Sequence, residues 1–295
     1  MLAMVVKFLL GHLIFALMLG VGLAARARDF DDIRRRPALY AKALAVMWIG
    51  VPLLTMAVLA VIPLGRIPTE LFLIVAVCPG APFISTKTKQ QHARYSVVGL
   101  NVLLLTSLSA PLLVPAWIAI LDRGYPFGVE ITAMQLLAKI IPDIIVPLFA
   151  GLTISVISPR LAQALARPVQ YFFLAALAVA VVLVLYLGVP VFRHVAPQVY
   201  LAMLVIIAGS TLMGYLSATP RLEDRRTIGI AAAQGNPGLA LAVIAASHPG
   251  FQAAAIVVAY ILLRTVAMIP FHYWMKHHER AQGAKLRGHT PAAAT

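Results

Sequence analysis

The sequence predicts an all-α polytopic membrane protein with nine transmembrane helices arranged as an inverted repeat. Three observations carry that expectation. The 295 residues are 61% hydrophobic and only 12% charged, with a mean hydropathy of +0.91, far more apolar than a water-soluble domain. Many apolar runs reach the roughly 20 residues that a helix needs to cross about 30 Å of hydrocarbon. Finally, two apolar segments, one in each half of the chain, are broken at their middle by glycine and proline: Leu71–Lys89 around Cys78-Pro-Gly-Ala-Pro82, and Ile228–Ile244 around Gly235-Asn-Pro-Gly238.

The spans fall at about 3–25, 39–62, 69–92 (broken), 94–120, 130–156, 166–188, 197–218, 225–247 (broken) and 251–275. Residues 1–280 read as a single transmembrane domain with short connections, and 281–295, rich in Ala, Gly and basic residues, as a disordered cytoplasmic tail. The run from Leu9 to Ala25 loosely resembles a signal peptide, but the Arg-rich loop after it marks a retained first span.

The net charge of +14 sits in short loops, which argues for orientation signals rather than nucleic-acid binding. Of the 24 Lys and Arg residues, 18 fall on one side and 4 on the other, with Lys139 and Arg264 inside spans. The positive-inside rule makes the rich side cytoplasmic. The N-terminus is then outside and the C-terminus cytoplasmic, which an odd number of spans requires. The single cysteine, Cys78, excludes an intrachain disulfide and a cysteine-based metal cluster.

Pro79, Gly80 and Pro82 interrupt the first broken segment, and Gly235 and Pro237 the second. Each half-segment is about 10 residues, roughly 15 Å of helix, so both breaks lie near the midplane. By the charge-derived orientation the two segments run antiparallel. Each break exposes a half-helix N-terminus with unpaired N–H groups that suit an anion. Such paired breaks are the sequence signature of a secondary transporter's site; the alternative for either alone is an ordinary kink.

At these residues the chain resembles the bile acid:sodium symporter (BASS) family, within the larger bile/arsenite/riboflavin transporter group. The resemblance is carried by Cys78-Pro-Gly80, Leu104–Pro115, Arg226-Thr-Ile-Gly-Ile230, Gln234-Gly-Asn-Pro-Gly-Leu-Ala240 and Asp29-Phe-Asp31, and runs from about Leu10 to Trp274. It implies panel and core subdomains, with two broken helices crossing in the core. The nine-helix form then has its core at about 69–156 and 197–247, with the remaining helices largely panel.

The resemblance also implies sodium sites, and here the chain departs from the pattern. The family's Ser-Asn finds its nearest match in Ser85-Thr86. Two hydroxyl positions fall on Gly99 and Leu103, a shared glutamate on Ala231, and two glutamines on Met47 and Gly235, while Asn236 is retained. Sodium needs several hard oxygen ligands, so two standard sodium sites are not expected, and no cofactor or metal is expected either.

The candidate substrate-binding residues are Ser85, Thr86, Asn236, Gly238 and Arg264. Arg264 lies well inside the last span, where arginine is costly and faces a cavity or a partner. One reading pairs it with a substrate carboxylate or sulfonate; the other pairs it structurally with a helix-end carbonyl or an acidic residue. Lys87, one turn into the inner half-helix, is a candidate substitute for the coupling cation, or else part of a snorkelling cytoplasmic end. Asp143 shares a helix face with Lys139, as an internal ion pair or as a proton site.

No catalytic constellation is present, so an enzyme is not expected. The expected function is secondary transport of a small or amphipathic organic anion by alternating access in a cell inner membrane. Coupling would be to protons or absent rather than the usual sodium symport. The rival readings are an arsenite-type efflux carrier and a non-transporting membrane receptor on a carrier scaffold. The expected partners are the organic anion and the lipid bilayer, with the protein a monomer or weak homodimer.

Overall fold

A computed structural model describes residues 2–80, 97–124, 132–218, 221–236, 239–240, 243 and 251–288. Among these every regular element is helical. The long elements are α1 (Leu2–Ala24), α2 (Pro37–Val61), α3 (Arg66–Ala76), α4 (Val97–Gly124), α5 (Ala133–Ile140 continuing through Ile141–Ile145 into Val146–Ile157), α6 (Pro159–His194), α7 (Pro197–Ser217), α8 (Leu222–Gln234) and α9 (Phe251–Gly288). Among the described residues, five helices are long and apolar enough to cross a membrane: Pro37–Val61, Val97–Gly124, Met134–Ile157, Pro159–Val179 and Pro197–Ser217; Leu13–Ala24 is a shorter apolar helix. Large apolar side chains such as Val61, Leu112, Val156 and Ile157 point outward, as they do where the solvent is hydrocarbon.

The helices pack in two groups. α1 lies along α5 and α6, whereas α7 lies along α8 and α2, with α3 on α2 and α4 on α8. α9 touches both groups, through α6 on one side and α3, α7 and α8 on the other, and α4 also touches both, packing on α5 as well as on α8.

Close backbone approach joins α1 to α5. A Cβ built on Gly151 would come within 2.5 Å of the Leu19 carbonyl oxygen, and one on Gly22 would strike the Leu148 carbonyl. Ser155 then donates its hydroxyl to the Ala25 carbonyl oxygen. Small residues at the seam, with a hydroxyl bond across it, are what draws helices together in lipid.

Two helices contain a widened π turn, Val46–Gly50 in α2 and Ile141–Ile145 in α5. Proline accounts for the first. Pro52 lacks the N–H that would bond the Trp48 carbonyl and its ring crowds that oxygen, so the Val51 N–H reaches back to Val46 instead. The freed Trp48 carbonyl accepts from the Trp117 indole at 2.8 Å, and the Trp48 indole donates to Ser109 Oγ at 3.1 Å. α2 and α4 are thereby fastened.

The last helix extends beyond the span expected at 251–275. At 38 residues it would measure about 57 Å, more than the hydrocarbon thickness. Part of the segment expected as a disordered tail from 281 is therefore helical, as far as Gly288; a continuous helix there keeps its backbone hydrogen bonds without needing an apolar partner.

Candidate functional site

The first break begins where α3 stops. Val77 and Cys78 still donate to Leu73 and Val75, and Pro79 then ends the ladder. The second break follows α8. Gly235 has φ +51° and ψ 172°, a backbone conformation that essentially only glycine adopts.

The two breaks touch main chain to main chain. The Asn236 N–H donates to the Cys78 carbonyl at 2.6 Å. A Cβ on Gly80 would lie 2.8 Å from Asn236 Cβ, so glycine is what permits the contact. Asn236 is 2% exposed. Its side-chain oxygen accepts from the Leu239 N–H at 3.1 Å and its carbonyl from Ala240 at 2.9 Å, the geometry of a residue capping the start of a new helical turn.

A small apolar cavity adjoins the crossing. Met47, Val51, Phe72, Val75, Pro79, Gly235 and Tyr260 are among its lining residues, and it leaves about 10 Å³ for the centre of a water molecule, room for about one water. Met47 and Gly235, the positions to which the resemblance assigns glutamine ligands of sodium, meet here with no side-chain oxygen. Ala231, the glutamate position, is fully buried close by in α8.

Arg264 in α9 is 3% exposed and donates through Nη1 to the main-chain oxygen of Gln234, the last residue of α8. Gln234 Oε1 is buried and has no partner among the described residues. Asp143 is half-buried in the widened turn of α5, distant in sequence from the crossing, and it is engaged. Pro82, Ser85, Thr86, Lys87, Pro237 and Gly238 lie outside the described residues, as does the Lys139 side chain.

Two contributors escaped the sequence reading. Tyr260 stands one turn before Arg264 and pairs with Phe72 at 6.2 Å between ring centroids; the four-residue spacing was its only signal. Gln234 serves through its main chain, which no side-chain pattern announces.

Apolar helices packed around the ends of α3 and α8, which touch inside the bundle, define a polytopic membrane protein. The model of the sodium bile acid symporter family matches residues 12–194, and the chain belongs to that family. The match ends before α7. No curated protein was found to match the chain.

Proposed function

We propose that the chain is a secondary transporter of a small or amphipathic organic anion, working by alternating access and not coupled to sodium in the usual way. Nine spans form an inverted repeat in a cell inner membrane, with the N-terminus outside and the C-terminus in the cytoplasm. The observation that carries the reading is the main-chain contact between Asn236 and Cys78. Irregular backbone at membrane depth is tolerated where it lines a transport path or is buried in protein, and here two such stretches from opposite halves of the chain lie on one another.

The two packing groups supply bodies that can rock. The bundle of α1, α5 and α6 moves against the group holding the breaks, with α5 grouped apart from the core that the resemblance implies, and α4 and α9 bridge the two. Ser85, Thr86 and Gly238 are the candidate anion-binding residues, and Asn236 shapes the path the anion takes. Proton coupling, where present, runs through Asp143 or Lys87. Sodium independence is supported by Ala231, Met47 and Gly235, which offer sodium no side-chain oxygen. Arsenite would meet no exposed thiol in this conformation, because Cys78 is 0% exposed.

The test is uptake into proteoliposomes of a bile acid, a short-chain monocarboxylate and arsenite, with sodium and proton gradients imposed separately. Uptake of an organic anion that persists when choline replaces sodium is expected. Strictly sodium-dependent uptake would overturn the coupling, and binding without any uptake would favour a receptor.

A further inference from the structure

We infer that Arg264 is a resident cation for the broken helix α8: its guanidinium is a covalently tethered charge on the C-terminal end of that half-helix. The inference deepens the reading above by naming what stands in place of a coupling ion, and it rests on that reading for its role in transport.

The argument begins with the end of α8. Its 13 residues stop at Gln234 inside an apolar bundle. The last carbonyls of a helix have no partner within it and carry about half a unit of negative charge. On a water-exposed helix, solvent or a chain that folds back would satisfy them. Here the Asn236 N–H, which could fold back onto those carbonyls, is directed away to Cys78, and Pro237 carries no N–H. The C-terminal end of α8 therefore needs a cation or another donor from outside the helix.

Half-helix C-termini of this kind bind sodium or protons in carriers with discontinuous helices. In this chain Arg264 occupies that place. Its Nη1 reaches the Gln234 carbonyl, and among the described residues no carboxylate pairs with it. An arginine buried in a membrane bundle without a carboxylate is costly, and the dipole of α8 offsets that cost. The neighbouring cavity wall is formed by Met47, Val51, Phe72 and Val75, which bring no anionic ligand for a diffusible cation. The negative end of α8 is thus met by a charge on the polypeptide itself, and loading a metal ion is unnecessary to hold the breaks together.

Thermal unfolding of the purified protein in detergent tests this, comparing sodium chloride, guanidinium chloride at a low non-denaturing concentration and choline chloride at equal ionic strength. The wild type is expected to unfold at the same temperature in sodium and choline. Arg264→Gln is expected to lose roughly 5 °C or more and to regain much of it in sodium or guanidinium but not in choline. Arg264→Lys is expected to fall between them and to remain indifferent to sodium. A purely packing role would not produce the cation-specific recovery.

Three results would overturn the inference: an Arg264→Gln protein as stable as the wild type, a loss that no small cation repairs, or a sodium-specific gain in the wild type. If lysine fares no better than glutamine, including a shared failure to fold, charge is not the reason for Arg264. Uptake by the same proteoliposomes reads the transport function separately. A complete cation-rescue pattern in a protein that moves no anion would sink transport and leave the tethered charge standing.

Discussion

Arg36 reaches across 188 residues of sequence to donate through Nη1 to Asp224 Oδ2 at 2.8 Å. The same guanidinium grips both oxygens of Asp32 through Nε and Nη2. Tyr40 donates to Asp32, and Asn101 donates to Tyr40 Oη and to the Asp29 carbonyl. The entry to α2, the second turn of α4 and the first turn of α8 are therefore held by one polar cluster. Arg36→Ala removes the hub and takes one partner from the almost buried Asp224. The loss is expected at about 3 kcal/mol, the lower range for breaking a buried pair because Arg36 keeps some water contact. Thermal unfolding checks it, and Arg36→Lys, which cannot make the two-pronged grip, is expected to recover less than half.

The same cluster sets an acid limit. Burial pushes the Asp32 carboxyl up, but hydrogen bonds from Arg36 and Tyr40, with the charges of Arg36 and Arg221, outweigh it and hold the group below its ordinary value. A depressed carboxylate contributes stability that is fully present above the unfolded-chain pKa of about 3.9 and fades as pH falls through the folded value. The stability advantage of the wild type over Asp32→Asn is thus expected to be constant from neutral pH down to about 4–5 and to shrink below that. Unfolding temperatures measured against pH would show it. A gap already closing near neutrality would place the responsible group elsewhere.

The seam between α1 and α5 leaves no room for a side chain. Gly151→Val would drive a branched side chain into the Leu19 carbonyl and force the helices apart. Overpacking costs about 1–3 kcal/mol where neighbours can yield, and main chain yields least, so the upper end is expected. Gly22→Val should do the same, and the double variant should cost less than the sum because both open one seam. Unfolding temperature and monodispersity in detergent are the measurements.

Pro52 and Trp117 act as one device. Trp117→Phe keeps the ring but removes the donor to the Trp48 carbonyl that Pro52 left free. A loss of about 1–2 kcal/mol is expected. Combined with Pro52→Ala, which restores the helical donor, Trp117→Phe should cost distinctly less; a double-mutant cycle on unfolding temperatures measures the difference.

What could be read without coordinates follows a physical rule. Composition and the proline and glycine positions speak for the solvent and for local backbone, so the helical class was legible, as were the ends of α3 before Pro79 and of α8 before Gly235. Pairings that use main-chain atoms were not. Every residue has a carbonyl, so nothing in the sequence singles out Cys78 as the acceptor for Asn236 or Gln234 as the acceptor for Arg264. Arg264 was noticed because a charge in an apolar run is rare, yet its partner was open between an anion and a helix end. The small apolar cavity was equally hidden, because Met47 and Tyr260 look like ordinary core. The helical extension to Gly288 was missed because a polar, alanine-rich tail has no apolar stripe to announce a helix.

The crossing should be sensitive to a single methyl group. Gly80→Ala places a Cβ 2.8 Å from Asn236 Cβ, so the breaks must separate and the 2.6 Å bond from Asn236 to Cys78 must lengthen. Gly235→Ala acts differently, since its Cβ would have ordinary contacts with Val75 and Cys78 but its backbone conformation would be strained by about 1–3 kcal/mol. If the crossing only stabilises the fold, the two variants should lose transport in proportion to stability. If it also positions the anion path, Gly80→Ala is expected to lose at least about tenfold in initial uptake rate, the equivalent of about 1.4 kcal/mol at the barrier, at an unfolding temperature no lower than that of Gly235→Ala. Paired uptake and unfolding measurements on the two proteins decide between these outcomes.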